Sequence, residues 1–206
     1  MKHFVTQLRA AVMLTLVLAV VCCGVYPLVV FGLGQALFPD KANGSLILDP
    51  SGAIRGSRLL GQPFAAARYF HSRPSAAGNG YDATNSGGSN LGPTSQKLKE
   101  AIAQNIINYR TENELGPKAP VPADAVTSSG SGLDPHISLE NAQLQAPRVA
   151  KARGMPVESV RALIAHYTEG ADFGVLGDPG VNVLLLNLAL DTNTTTARSS
   201  VVTRAR

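Results

Sequence analysis

The sequence predicts a mixed α/β (α+β) outer domain anchored by one N-terminal transmembrane helix. Residues 10–39 form a run of 30 residues without one Asp, Glu, Lys or Arg. Beyond it, short β-type segments and amphipathic helical stretches are separated by loops rich in Gly, Ser, Asn and Pro. The two cysteines, Cys22 and Cys23, both lie inside the apolar run. The outer domain therefore has no disulfide framework and depends on its own core.

A spanning helix needs about 20 apolar residues, so the run is long enough to span with tilt. A secretory signal has an apolar region of only about 7–15 residues and a small-x-small cleavage site, and this run fits neither. Val21 precedes Cys22, where a lipidated cysteine normally follows a small residue, so both cysteines read as small apolar side chains. Lys2 and Arg9 lie before the run, whereas Asp40 and Lys41 cancel after it. The positive-inside rule then places the amino end in the cytoplasm. The expected organisation is a cytoplasmic segment 1–9, a span 10–38, an extracytoplasmic domain 39–191 and a flexible tail 192–206. Pro27, Gly24, Gly32 and Gly34 are expected to kink the span or let other helices approach.

From residue 40 onward, sixteen basic residues face fourteen acidic ones. That is no footprint for nucleic acid, which needs a dense basic face. The absence of Trp also argues against a stacking platform for single strands.

Residues 45–48 and 54–60 read as strands around the turn Asp49-Pro50-Ser51-Gly52. In residues 72–95, 15 of 24 are Gly, Ser, Asn or Pro. Loops of that length in compact domains are usually functional or disordered. Thr94 or Ser95 can cap a helix with Leu98, Ala101, Ile102, Ile106 and Tyr109 on one stripe. A Pro-rich break at 116–122 leads to a second polar loop, 126–138. Ser138 can cap the next helix, with Glu140 in its first turn. Pro147 is expected to kink that helix or begin a new one, and Gly154 to end it. Pro156 opens another helix, with Val157, Val160, Ile164 and Tyr167 inward. Residues 181–190 have strand length and alternating leucines at 184, 186, 188 and 190; a short buried helix fits them as well.

The chemistry is sparse. There is no Walker phosphate loop and no G-x-G-x-x-G between a strand and a helix. Ser129-Gly130-Ser131-Gly132 reads either as a turn feeding the Ser138 cap or as an anion-binding nest. His71, His136 and His166 lack metal-ligand spacing, so no metal site is expected. Ser131, Asp134 and His136 lie within six residues on a turn, whereas a nucleophile relay is usually assembled from separate elements. Asp134 and His136 are read as ordering their own loop. Arg68, Arg73, Arg148, Arg153 and Arg161 are read as mostly solvated, with Asp134, Asp178 or a partner's carboxylates as available counterions.

Several blocks occur in order. They are Asn43-Gly44-Ser45-Leu46-Ile47, Gly61-Gln62-x-Phe64, Tyr69-Phe70-His71-Ser72-Arg73-Pro74-Ser75-Ala76 and Gly87-Gly88-Ser89-Asn90-Leu91. Ser129-Gly130-Ser131-Gly132-Leu133-Asp134-Pro135-His136-Ile137-Ser138 and Gln145-x-Pro147-Arg148-Val149-Ala150-Lys151-Ala152-Arg153 follow. Val181-Asn182-Val183 and Leu186-Asn187-Leu188-Ala189-Leu190-Asp191 close the set. With Gly24-Val25-Tyr26-Pro27-Leu28 in the span, the chain resembles the KdpC family of the Kdp-type potassium-transporting P-type ATPases from about residue 8 to 191. Ser72 departs from the pattern, where the family usually has Gly.

The resemblance implies an accessory, non-catalytic subunit of an ATP-driven, high-affinity potassium uptake complex in the bacterial inner membrane. It implies three partners: a potassium-channel-like subunit, a P-type ATPase subunit and a small single-span subunit. ATP and K+ would be handled by those partners, with no cofactor held firmly here. Consistent with that, the chain lacks the D-K-T-G phosphorylation motif and a T-V-G-Y-G filter. The resemblance further implies a role in assembly, and a catalytic chaperone that raises the ATP affinity of the ATPase subunit. Ser129, Gly130, Ser131, Gly132 and Gln145 are the implied nucleotide contacts. His71, Arg73, Pro74, Ser75, Gly87, Gly88, Ser89, Asn90, Asp134, His136, Arg148, Arg153, Asn182 and Asn187 are the implied interface or structural residues. Two alternatives are a direct nucleotide-binding protein and a membrane-anchored extracytoplasmic hydrolase using Asp134 and His136. Direct ATP contact conflicts with the charge flanks, because ATP is cytoplasmic and the flanks place the domain outside.

Overall fold

The computed structural model describes residues 2–171 and 173–192. Residues 193–206 of the expected tail lie outside the described residues; Thr192 is helical. The chain divides into two compact units, one ending at Ser57 and the other beginning at Arg58.

The first unit opens with α1 (Lys2–Ala19), a π-helical turn (Val20–Val25) and α2 (Tyr26–Leu37). Residues His3–Leu37 make one apolar helix of 35 residues, long enough to cross a membrane. At about 1.5 Å per residue it is roughly 50 Å long, well beyond a hydrocarbon core of about 30 Å. The expected irregularity at Pro27 takes the form of a π-turn. Proline lacks an N–H, and its ring crowds the carbonyl four residues back. The chain widens just before it, so that Tyr26 N–H bonds Val21 O, five residues back. After a short α3 (Pro39–Ala42), β1 (Leu46–Leu48) and β2 (Ile54–Ser57) form the expected hairpin. Its register pairs Leu46 with Ser57, and a bulge separates Ile47 from Leu48. The Asp49 carboxylate closes the turn, accepting from the Ser51 hydroxyl and the Ser51 and Ala53 amides. These bonds, the Ser51 hydroxyl first, lower its pKa to about 2.

The second unit contains α4 (Gln96–Glu112), β3 (His136–Ser138), α5 (Leu139–Arg153), α6 (Val157–His166), β4 (Thr168–Glu169) and β5 (Gly180–Asn182). A last helix, α7 (Val183–Thr192), ends the described chain. The sheet is antiparallel with β5 in the middle, order β3-β5-β4. His136 pairs with Asn182, and Glu169 with Gly180. Ala142, Ala146, Val149 and Ala150 form one stripe on α5. These small side chains let α6 approach with Val160 and Ile164. Phe70, Ile137, Val181, Val183, Leu186 and Leu190 complete the core.

The caps fall where the sequence puts them. Ser95 Oγ accepts from Leu98 N–H, and Ser138 Oγ from Asn141 N–H. Gly154 ends α5 at φ 64°, a left-handed conformation that favours glycine. Pro147 neither breaks α5 nor starts a new helix, because Ala146, Arg148 and Val149 around it are buried in the core. Residues 181–190 divide between strand and helix. The strand stops at Asn182, whose side chain turns back to accept from Leu185 N–H as an N-cap, and the leucines continue as α7. Val183, Leu184, Leu186 and Leu190 are all buried, so alternation carried no information about the secondary structure. β3 and β4 have no counterpart in the sequence reading; they are only three and two residues long.

Asn182 also donates its amide to Arg58 O at 3.0 Å. Replacing it with Ala removes an N-cap and a buried hydrogen bond. Asn182→Ala should lower the unfolding free energy by about 1–3 kcal/mol. Equilibrium denaturation of the full-length chain in detergent checks this.

Candidate functional site

The Phe70–Ser75 segment crosses the second unit without joining the sheet. Side-chain amides take the place of neighbouring strands. Asn187 accepts from Phe70 N–H through Oδ1 at 2.9 Å and donates to Phe70 O through Nδ2 at 2.9 Å. Gln145 does the same for His71, accepting from its N–H at 2.8 Å and donating to its O at 3.1 Å. Gln145 also donates to Asn141 Oδ1 at 2.8 Å and accepts from Arg148 at 2.7 Å. Both ends of this amide are occupied, and the residue is 1% exposed.

Arg148 is the cation of this network. It donates to Asn113 Oδ1, Ala67 O, Tyr69 O and Gln145 Oε1. Burial pulls its guanidinium below the usual arginine range, while Glu112 and Tyr109 act in the opposite direction. Asp124 accepts from Ser138 N–H, Ser138 Oγ and Asn141 Nδ2, fastening the start of α5. His71 Nδ1 lies 2.7 Å from Glu112 Oε1. The hydrogen bond from His71 holds the Glu112 carboxyl below its ordinary range, against the opposing effect of burial.

The two polar loops pack against each other. Ser75 Oγ donates to Gly132 O at 2.7 Å, and Ser86 Oγ and Gly87 N–H both reach Ser131 O at 2.9 Å. Gly132 sits at φ 67°, and a Cβ there would lie 2.7 Å from Ala77 N and from Gly87 O. A Cβ on Gly88 would lie 3.0 Å from Gly130 O. The Ser129-Gly130-Ser131-Gly132 loop also binds itself, with Gly132 N–H donating to Ser129 Oγ and Leu133 N–H to Ser131 Oγ. Both serine oxygens act as acceptors there, which leaves their protons to point elsewhere.

Ser129, Gly130 and Ser131 of this loop, Arg73 and the exposed pair Leu59-Leu60 line an open cleft of about 550 Å³. A second cleft of about 390 Å³ lies between His71, Pro74 and the Asn105, Asn108 and Glu112 side of α4, with Gln145 in its lining. The five implied nucleotide contacts therefore do not share one cleft. Ser129, Gly130 and Ser131 line the first and Gln145 the second. Arg73 pairs with Asp134 at 3.0 Å, and its buried Nε has no hydrogen-bond partner. Asp134 also accepts from His136 N–H at 3.0 Å. Burial alone would raise the Asp134 carboxyl; the His136 hydrogen bonds and the Arg73 charge outweigh it and hold it low. The His136 ring faces Asp134 and Glu169. Among the described residues, no group of three His, Cys, Asp or Glu side chains is placed to hold a metal ion.

The model of the family described as K+-transporting ATPase, c chain, matches residues 8–192. The chain belongs to this family, KdpC. It is 55% identical over 185 residues to the potassium-transporting ATPase KdpC subunit of Mycobacterium tuberculosis H37Rv, covering 90% of this chain and 97% of the relative. It is 54% identical over 187 residues to the subunit of the same name in Nitratidesulfovibrio vulgaris, covering 90% and 94%. The Myxococcus xanthus subunit is 56% identical over 189 residues, covering 91% and 87%.

On this KdpC chain the quoted blocks hold the interior together. His71, Arg148 and Asn187 meet around the Phe70–Ser75 segment. Arg73, Ser75, Gly87, Gly88, Asp134 and His136 meet where the loops pack. Arg153 is almost fully buried and reaches Asp191 at 3.0 Å, beside the Tyr69 ring that Arg68 also covers. Arg148 and Arg153 are thus not solvated; Arg161 stays on the surface with Glu158. Pro74 lines the second cleft, Ser89 is exposed, and Asn90 takes a positive φ of 52°. The sequence reading missed Asp124, Asn113, Asn141, Glu112, Glu169 and Asp191. Asn141 had a signal: with Gln145 and Arg148 it makes a polar i, i+4, i+7 stripe on a helix whose buried face is otherwise alanine and valine.

Gln145→Leu leaves His71 N–H and O without partners, and Arg148→Met leaves Asn113 Oδ1 and two carbonyls without donors. Each should lower the unfolding free energy by about 2–4 kcal/mol, read by chemical denaturation. A loss below about 0.5 kcal/mol would mean that the network is not holding the segment.

Proposed function

We propose that this chain is a non-catalytic, single-span subunit that assembles and steadies an ATP-driven potassium uptake complex. One observation carries the reading: a KdpC-family sequence over 90% of the chain takes in most of a helix, His3–Leu37, able to cross a membrane. The partners in this reading are a potassium-channel-like subunit, a P-type ATPase subunit and a small single-span subunit. They handle K+ and ATP, and this chain holds no cofactor of its own. Lys2 and Arg9 before the apolar run favour an amino end in the cytoplasm of a bacterial inner membrane, with residues 39–191 outside. In that orientation the domain acts on ATP affinity indirectly, as a coupling free energy passed through its partners. The geometry supports the non-catalytic part. The His136 ring faces two carboxylates, while the Ser131 oxygen takes the Leu133 amide.

A second reading, direct nucleotide contact, is favoured by the open cleft that Ser129, Ser131 and Arg73 line together. It requires the opposite orientation, and it draws no support from Gln145, whose amide is fully occupied.

Protease accessibility in intact and opened cells separates the two. The assembly reading expects the C-terminal domain to be cut from outside, and its removal to abolish complex assembly and growth at micromolar potassium. Protection from outside, together with saturable ATP binding to the full-length chain that Ser129→Ala and Ser131→Ala weaken, would replace it with the second reading.

A further inference from the structure

Five charged side chains follow one another across the sheet of the second unit with alternating sign: Arg73, Asp134, His136, Glu169 and Arg58. Arg73 pairs with Asp134 at 3.0 Å. His136 Nδ1 is 3.7 Å from Asp134 Oδ1, and Nε2 is 3.1 Å from Glu169 Oε2. Glu169 lies 3.5 Å from Arg58. His136 is on β3 and Glu169 on β4, the two outer strands, so their contact bridges the central strand β5. It can do so because the residue beneath is Gly180. A Cβ at Gly180 would lie 3.2 Å from His136 Cβ and 3.5 Å from the imidazole carbons. The other β5 residue nearby, Asn182, is neutral and its amide is bonded to Arg58 O.

We propose that His136 is a pH-operated clasp: as an imidazolium it ties β3 to β4 over Gly180, and on losing its proton it releases β4 and the apolar turn that follows. Both ring nitrogens face carboxylates, which only accept hydrogen bonds when ionised. A neutral imidazole would set its lone pair against one of them. The charged form is the one attracted to both, with Nε2–Glu169 at 3.1 Å the contact within hydrogen-bond distance. Asp134 first, and then Glu169, hold the His136 ring above its ordinary value despite burial. Arg73 pairs with Asp134 from its far side, and Arg58 lies 3.5 Å from Glu169. β4 is short: among the described residues its ladder with β5 pairs Thr168 with Val181 and Glu169 with Gly180, and Thr168 Oγ1 donates to Ile164 O. The turn beyond it carries Phe173 at 93%, Val175 at 79% and Leu176 at 61% exposure. A loosened β4 changes how this apolar tip is presented.

The sign follows from linkage. A histidine held above its unfolded value contributes fully below that value, about 6.5, and its contribution fades as pH rises through the raised value. The clasp is therefore closed below about pH 6.5 and opens as pH rises through the raised value. This is independent of which membrane face the unit occupies.

Hydrogen exchange on the full-length chain in detergent, corrected for intrinsic exchange at each pH, reads the opening of β4. From about pH 6 to 9, protection at Glu169 and Gly180 should fall about tenfold for each unit by which the histidine is raised. Glu169→Gln should remove most of that dependence while α5 and α6 stay protected. His136→Gln should leave β4 open throughout. A flat wild-type profile, or a Glu169→Gln profile as steep as wild type, would overturn the proposal. Where His136→Gln does not fold, the His136 ring resonance of the wild-type chain decides instead: titration above about 6.5 supports the clasp, and titration at or below it overturns it.

Discussion

Phe70 and His71 pass through the second unit as a segment that joins no sheet. Buried backbone groups that lack partners cost about 1–3 kcal/mol each, so such a segment survives only if something supplies them. Gln145 and Asn187 supply both the donor and the acceptor for one residue each. Arg148 then caps the carbonyls of Ala67 and Tyr69. The rest of the domain hangs on this arrangement. Gln145 and Arg148 come from α5 and Asn187 from α7, so the segment is the seam that sets the two helices relative to each other. Phe70, fully buried, fills the space between them. An apolar core of mostly alanine and valine has little shape of its own, and directional amides give it a unique register.

Much of the secondary structure was legible because local chemistry decides it. The hairpin at 46–57, the Ser95 and Ser138 caps, the Gly154 stop and the helix after Pro156 each follow from residues within one turn of the feature. What was illegible depends on distant partners. β3 and β4 exist only because β5 pairs with both, and their three and two residues carry no periodicity. Residues 181–190 are buried almost all round, so neither a period of two nor of 3.6 emerges; the Asn182 cap decides in favour of helix, and only its geometry reveals that. From composition, a polar loop as long as 72–95 reads as functional or disordered. In fact the two polar loops pack on each other through Gly132, Gly87 and Gly88, where backbone approaches backbone and any side chain would intrude. Glycine there serves contact and not mobility.

The same observation changes how the motif blocks are understood. Polar residues recurring in an ordered pattern invite a chemical interpretation, and Gln145 in particular can be taken for a ligand contact. Its four hydrogen bonds all run to its own chain. A side chain with no unused donor or acceptor could meet a ligand only by abandoning the segment it holds. The residues that retain capacity lie elsewhere, at the cleft lined by Ser129, Ser131 and Arg73. Much of the block pattern therefore encodes folding, and the exposed apolar side chains Phe173, Val175 and Leu176 take no part in that network.

The two units obey opposite rules about apolar surface. In the second, Ile137, Val149, Val160, Ile164, Leu186 and Leu190 are at most 2% exposed, and the core is closed by its own chain. In the first, Leu28, Phe31 and Leu37 remain more than 60% exposed, and no described part of the unit covers them. At about 25 cal/mol per Å² such a surface cannot stay in water. In lipid it is at home, and the π-turn before Pro27 is tolerated because the local widening re-pairs Tyr26 N–H with Val21 O and leaves little backbone unsatisfied. The helix thus needs a bilayer or other helices around it, whereas the second unit closes its core with its own side chains.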